Sequence, residues 1–418
     1  MPHSLTHSLT RAATPSVVSF GFSTAAESNK QNKDEVAFLD YNRSMHRNSE
    51  RKAQFFADRL IDPHTDEVTL QTEKPYVVVD LGCNTGSLLE KLHLIMASMK
   101  PVEYMFKFIG VDLNQDMLRL AKQRLGKYNE TDPENINLQA YSASKLEKMK
   151  SNPFLQKASV NWRFSGSPWE KWSKNHLYNG NLDTLGRFTI IHGDITETNY
   201  GRNTIDAFLM SSVLHEIYSY GGENGYSYDE VYSALQNLFD SLEHGGRVII
   251  RDPARPENPG EYLLVTPNEE DGQNPNSLNE LLSTDPHLLS TRSLLDRFLV
   301  QFKPANGQFE IIDGKYQLPA WLISEFIRHR VVRKSATEWN AEMKEQYGVF
   351  TEAELRKTAD LIGFNPIEVR SVFNPDSTAV GIEEELQISD LEGNVICQSE
   401  RFPTHLYAVL EKPKQVLS

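Results

Sequence analysis

Residues 76–86 read YVVVDLGCNTG. Four residues of strand character, apolar on both faces as a central parallel strand requires, end on Asp80. Gly82 and Gly86 then permit a tight turn and a close approach of backbone to a ligand or to the next helix. This is not the GxGxxG of a nicotinamide or flavin fingerprint, because Asn84 and Ser87 occupy positions where further glycines would accommodate a pyrophosphate.

Working outward, the chain alternates strand-like and helix-like segments. SLLEKLHLIMASM predicts a helix, KFIGVD a second strand and QDMLRLAKQRL a second helix. FTIIHGDI and TIDAFLMSS read as strands, YDEVYSALQNLFDSL as a helix, and RVIIRDP as a strand. That order is what a doubly wound α/β sheet requires, with ligands expected beyond the carboxyl ends of the strands. Asp112, closing FIGVD, can accept from both hydroxyls of a ribose. Asp194, in HGD, can accept from an adenine amino group, with Ile195 against the base. Each acid alone also reads as a turn carboxylate.

YVVVDLGCNTG, FIGVD, IIHGDI, IDAFLMSSVLHEI and LEHGGRVIIRDP, in that order, resemble the class I S-adenosylmethionine-dependent methyltransferases over roughly Tyr76 to Pro253. The segment from Gly363 to Leu410 also resembles the end of that fold. The resemblance implies a Rossmann-like, seven-stranded α/β sheet with an antiparallel last strand. It implies S-adenosyl-L-methionine as cofactor. The loop residues Asp80, Gly82, Cys83, Asn84 and Gly86 would meet its methionine part, Asp112 and Leu113 its ribose, and Asp194 and Ile195 its adenine. Ser211, ending the fourth strand, completes the implied cofactor set. The sequence departs from the commonest form of the first motif at Asn84, which replaces a glycine; Asn tolerates left-handed backbone better than most residues.

In-line methyl transfer needs an aligned, unprotonated nucleophile, and no metal or covalent intermediate. SSVLHEIYSYG follows the fourth strand at the rim where the methyl would emerge. His215 is the candidate general base or positioning group, with Glu216 to orient it or bind substrate; adjacent helical residues do not share a face, which weighs against a relay. The alternative is a packed histidine and a fold-supporting acid. HExx followed by Ser219 lacks the second histidine of a zinc protease. Tyr218 and Tyr220 read as pocket wall or packing. Arg251 and Asp252 stand at the next strand's rim, where they could contact substrate, and Arg43 and His46 could close over the cofactor. RHRVVRK, Arg328 to Lys334, is the strongest local basic cluster: either a solvated helix face or a site for a phosphate or carboxylate of the substrate.

The 418 residues carry a formal charge of −14, with 39% apolar and 24% charged residues. That balance fits a globular chain and argues against indiscriminate binding of nucleic acid or anionic membrane. No apolar run approaches the roughly 20 residues that span a bilayer, so integral membrane association is not expected. Two cysteines, Cys83 and Cys397, make neither a disulfide framework nor a metal cluster and point to a reducing, cytoplasmic setting.

The expected organisation is a disordered tail over 1–33, with a targeting segment as its alternative reading, and a helical extension over 34–70. The methyltransferase core spans 71–253, with a basic insertion at 126–187 carrying Trp162, Trp169 and Trp172. An acidic loop and helical cap follow over 254–350. Residues 351–418 return to the core through a capping-box helix from Thr351 and Glu354 and an inserted hairpin. The function expected is methyl transfer to a small molecule at oxygen or nitrogen. RNA or protein methylation is the runner-up, and a catalytically silent, cofactor-binding interaction module is the third class.

Overall fold

The computed structural model describes residues 49–60, 76–99, 106–126, 163–164, 188–196, 200–332, 335–377 and 379–415. All belong to one unit, Ser49–Ser418. The tail, Arg43, His46 and the three insertion tryptophans lie outside the described residues.

In β1 (Tyr76–Leu81) successive residues enter different cores. Val77, Val79 and Leu81 join one apolar cluster and Val78 another. β2 (Phe106–Asp112), β5 (Ile205–Ser211) and β6 (Leu242–Pro253) divide in the same way. Side chains alternate across a strand, so a strand apolar on both faces demands helices on both sides. One side is covered by α1 (Ser49–Leu60), α2 (Ser87–Met99) and α3 (Gln115–Gly126). The other is covered by α4 (Leu214–Tyr220) and α5 (Tyr228–Ser241), whose Leu214, Val231 and Leu235 are buried.

β3 (Arg163–Phe164) and β4 (Phe188–His192) extend the sheet past β2. At the other edge β12 (His405–Glu411) runs antiparallel between β6 and β10 (Asn365–Val372). The full order is β10-β12-β6-β5-β1-β2-β4-β3. Setting aside the two-residue β3, this is a seven-stranded sheet in which only β12 is antiparallel, as the resemblance implied.

Between α5 and β10 on the same side lies α10 (Glu352–Ile362), with Leu355, Ala359 and Ile362 in the shared cluster. Its start is the expected capping box: Glu354 N donates to Thr351 Oγ1 and Thr351 N donates to Glu354 Oε2. Gly363, at φ 105°, ends it in the left-handed conformation.

The cap differs from the expected loop and helices. It contains a four-stranded sheet, β11-β7-β9-β8, in which β7 (Tyr262–Pro267), β8 (Glu310–Ile312) and β9 (Lys315–Pro319) come from 254–350. The remaining strand, β11 (Leu386–Ser389), comes from the hairpin expected to belong to the core, and it pairs antiparallel with β7. YLLVTP, short and set among Pro, Asn and Gly, offers little local signal; its strand state depends on partners distant in sequence. Leu263, Val265, Leu386 and Ile388 close a third core with Phe298, Phe326 and the fully buried Trp339. These aromatics come from α7 (Thr291–Gln301), α8 (Ala320–His329) and α9 (Ala336–Glu342). The short α6 (Leu278–Ser283) buries none of its residues.

Candidate functional site

The carboxyl ends of β1, β2 and β4 lie side by side, and each carries one of the expected acids. Register pairs Asp80 with Gly110 and Asp112 with His192, so the β1, β2 and β4 ends are level. The loop after β1 is pinned from below: Cys83 N donates to Val111 O at 2.9 Å and Gly86 N to Cys83 O at 2.9 Å. Gly82 and Gly86 both have φ near 69°, and Asn84 has φ 49°. A Cβ on Gly82 would lie 2.6 Å from Val213 Cγ2, so the glycine also allows this loop to seat against the β5–α4 turn. At Asn84 the side chain stabilises its own left-handed turn, Oδ1 accepting from Thr85 N at 2.7 Å.

Asp112 ties that loop to its own strand. Oδ2 accepts from Asn84 N at 2.8 Å and Oδ1 from Asn114 N at 2.7 Å. Burial pushes its carboxyl up, with both backbone bonds opposing. Each oxygen retains an acceptor lone pair for a further donor. Leu113 is exposed beside it, and its carbonyl lies 2.8 Å from His192 Nε2. Asp194 Oδ1 accepts from Thr196 N and Oγ1, at 2.8 and 2.6 Å, while Ile195 packs on the neighbouring core.

Asp80 is the anomaly in this row. It is 2% exposed, and its buried Oδ2 has no hydrogen-bond partner among the described residues. Burial, with Asp112 adding and Lys52 opposing, raises its carboxyl to about 8. Ser211 Oγ is likewise buried and unpartnered. Two orphaned polar atoms at the ends of adjacent strands fit a polar ligand, and a carboxylate beside the glycine turn fits an ammonium.

His215 is held differently from the expected base. Ser212, at φ 59°, turns the chain sharply out of β5, and its N–H donates to Arg251 O. Asp252 then organises the first turn of α4: Oδ2 accepts from Val213 N and Leu214 N at 2.8 and 2.9 Å, and Oδ1 lies 2.8 Å from His215 Nδ1. The ring is 4% exposed, with Nε2 3.7 Å from Glu345 Oε2. Desolvation works against the imidazolium, but Asp252, Glu216 and Glu345 outweigh it and raise His215 to about 9. At neutral pH it therefore holds its proton, which corrects the base reading: an imidazolium with Nδ1 spent on a carboxylate has no lone pair to offer.

Glu216 is the exposed acid of α4. Crowding by the surrounding protein, with His215 opposing and Glu345 adding, pushes its carboxyl up to about 7; Asp252 and Asp112 contribute less. Because the side chain meets solvent, that rise is an upper bound. Tyr218 points elsewhere on the helix, 7% exposed and 4.7 Å ring to ring from Tyr228. It lines a cleft of about 410 Å³ with Tyr228, Arg255, Trp321 and Gln346. The segment after α9 is fastened to α4 here: Tyr220 OH donates to Glu345 Oε1, Gln346 N to Ser219 Oγ, and Tyr226 OH to Lys344 O.

The two arginines proposed for substrate are otherwise engaged. Arg251 is half-buried and donates from Nη2 to His405 Nε2 at 2.7 Å. Arg328 is 8% exposed, and its guanidinium donates to Ser324 O, Ala254 O and Pro403 O. His329 and Arg330 are buried as well, and Arg330 pairs with Glu385. RHR is thus neither a solvated face nor an open anion site; Lys334 lies outside the described residues. Three side chains that sequence reasoning passed over also belong to this region: Lys52 on α1, Glu345 and His405. Lys52 carried a signal, a cation one residue from the buried Ala53, but nothing local showed what it faced.

The sheet order, with its antiparallel β12 between β6 and β10, is that of the Rossmann-like methyltransferase fold. No protein-family model matches the sequence, and no curated protein matches it. Solved structures similar to this chain include one from the complex between the Haloferax volcanii Trm112 methyltransferase activator and the putative methyltransferase. That chain is 12% identical, with 92% of this chain and 97% of that chain covered and a TM-score of 0.40. The plantazolicin methyltransferase BpumL, in complex with a monoazolic desmethylPZN analog and SAH, is 10% identical, with 93% of each chain covered and a TM-score of 0.39. The Burkholderia thailandensis 1,6-didemethyltoxoflavin-N1-methyltransferase, with 1,6-didemethyltoxoflavin and S-adenosylhomocysteine bound, is 11% identical, with 95% and 94% covered and a TM-score of 0.35.

Proposed function

We propose that the protein is an S-adenosylmethionine-dependent methyltransferase acting at oxygen or nitrogen of a small molecule. The observation that carries the cofactor reading is the buried, unpartnered Oδ2 of Asp80 beside a glycine turn, in line with Asp112 and Asp194 on the next strand ends. S-adenosylmethionine, when bound, supplies a methyl made electrophilic by its sulfonium.

The chain's own groups divide the remaining work. Asp112 holds ribose hydroxyls while fixing the loop through Asn84, and Asp194 and Ile195 receive the adenine. Glu216, exposed on α4 and raised toward neutrality, takes the acceptor's proton, because a base works best with a pKa near the working pH. His215 is a positioning residue: its charge, clamped between Asp252 and Glu345, fixes α4 and opposes too large a rise at Glu216. The small-molecule reading draws on the cap, whose Glu345 and Gln346 are fastened to α4 beside His215 and Glu216.

Calorimetric titration with S-adenosylhomocysteine tests this. We expect a single site, weakened roughly 10- to 100-fold in Asp112→Asn, which loses charge-assisted hydrogen bonds. Absence of binding to the wild type removes the cofactor reading. Binding without methyl transfer to any small oxygen or nitrogen acceptor favours the silent module, and transfer confined to RNA or protein favours the polymer enzyme.

A further inference from the structure

We propose that Lys52 receives the carboxylate of the methyl donor's amino-acid end while Asp80 takes its ammonium, the two side chains forming a clamp for a zwitterion. This rests on the proposed cofactor and adds a residue that lies outside every motif pointing to it.

The position of Lys52 follows from how α1 lies on the sheet. At the helix end, Arg59 O accepts from Arg247 Nη1 at 3.0 Å, near the start of β6, and Arg59 also pairs with Glu368 on β10. At the opposite end Arg51 pairs with Asp376, just beyond the finish of β10, which runs parallel to β6. Helix and strand are therefore antiparallel. Lys52 lies seven residues before Arg59, about 10 Å along a helix, which matches about three residues of strand. Counting forward from Arg247 brings Lys52 level with Ile250 and Arg251, at the ligand side of the sheet. Ala53, Phe56 and Ala57 bury the adjoining helix face against Val78, Leu209 and Ile249, leaving Lys52 half-buried at its margin.

The charges around it are unbalanced in a particular way. Lys52 senses the Arg251 cation as well as Asp80 and Asp252. Asp252 is already spent, on His215 and on two N–H groups of the α4 turn. Arg251 faces a neutral ring, His405, whose imidazole is held far below its ordinary range by burial and the surrounding cations. No hydrogen bond or close ion pair occupies the Lys52 ammonium among the described residues. Two cations thus lie within electrostatic reach of each other, beside a buried acid with one oxygen unpartnered among the described residues. An α-amino acid presents that pair of opposite charges within a single small group.

The test compares S-adenosylhomocysteine with S-adenosylthiopropylamine, which lacks only the carboxylate, by calorimetry on the full chain. We expect the wild type to prefer the carboxylated ligand by roughly 10- to 100-fold. In Lys52→Met that preference should fall below about threefold, with the amine-only ligand bound as in wild type, and Lys52→Arg should restore most of it. Equal binding of both ligands by wild type, or Lys52→Met weakening both alike, overturns the clamp while leaving the cofactor reading intact. Failure of wild type to bind either ligand overturns both.

Discussion

Replacing Asp80 with asparagine should stabilise the ligand-free protein while impairing it as a receptor. The carboxyl is 2% exposed and lifted from 3.8 to about 8, so folding favours its protonated form. Below about pH 4 the acid is neutral both folded and unfolded, and no penalty exists. Between pH 4 and 8 the unfolded chain ionises first, and stability falls as pH rises. At about 1.4 kcal/mol per pKa unit, the loss reaches about 4 kcal/mol at pH 7 as an upper bound, since relaxation and water entry soften such penalties. Asparagine has nearly the same shape and does not titrate, so Asp80→Asn should escape this slope. Urea unfolding at pH 5 and pH 8 measures it: the stability gap in favour of the variant should widen by several kcal/mol. Saturating S-adenosylhomocysteine should close the gap by stabilising only the wild type strongly. Parallel pH dependences, within about 0.5 kcal/mol, would refute the burial argument.

Gly82→Ala should cost about 2–4 kcal/mol in urea unfolding, combining an unfavourable φ with contact against Val213; adding Val213→Ala should return all but about 1 kcal/mol. If the second change restores nothing, steric contact is not the cause. His215→Gln should destabilise by about 3 kcal/mol below pH 6.5. Because the folded histidine titrates near 9, that advantage of wild type should fade between pH 6.5 and 9; a constant difference across that range contradicts a buried imidazolium. Carboxyl NMR should place the Glu216 midpoint clearly above the ordinary 4.3, and Glu345→Gln should lower it by removing a like charge. A midpoint at the ordinary value, unmoved by that change, would sink Glu216 as the base.

What could be read beforehand depended on range. YVVVD declared itself because burial on both faces erases alternation, and that erasure is local. The Asp112 position and the Thr351 capping box were legible for the same reason. The cap sheet was not: β7 pairs with β11 about 120 residues away, and neither strand has a pattern of its own. Arg328 misled because a run of cations looks solvated until carbonyl groups from Ala254 and Pro403 are seen around it. His215 was singled out by its place after β5. Its protonation, though, is set by Asp252, 37 residues on, and by Glu345 in the cap, and no spacing rule connects the three.

The contribution of β11 to the cap sheet has a consequence for how the chain is made. A growing polypeptide that has reached Phe350 contains β7, β8 and β9 but not the strand that closes the edge of β7. Until Leu386 emerges, that edge offers unpaired backbone groups and the third core lacks Leu386 and Ile388. The core sheet is also unfinished then, because β10 and β12 flank β11 in sequence. Both sheets are therefore completed by the same last stretch of chain, and premature release just before it would leave two open edges at once. Such truncated chains should be aggregation-prone.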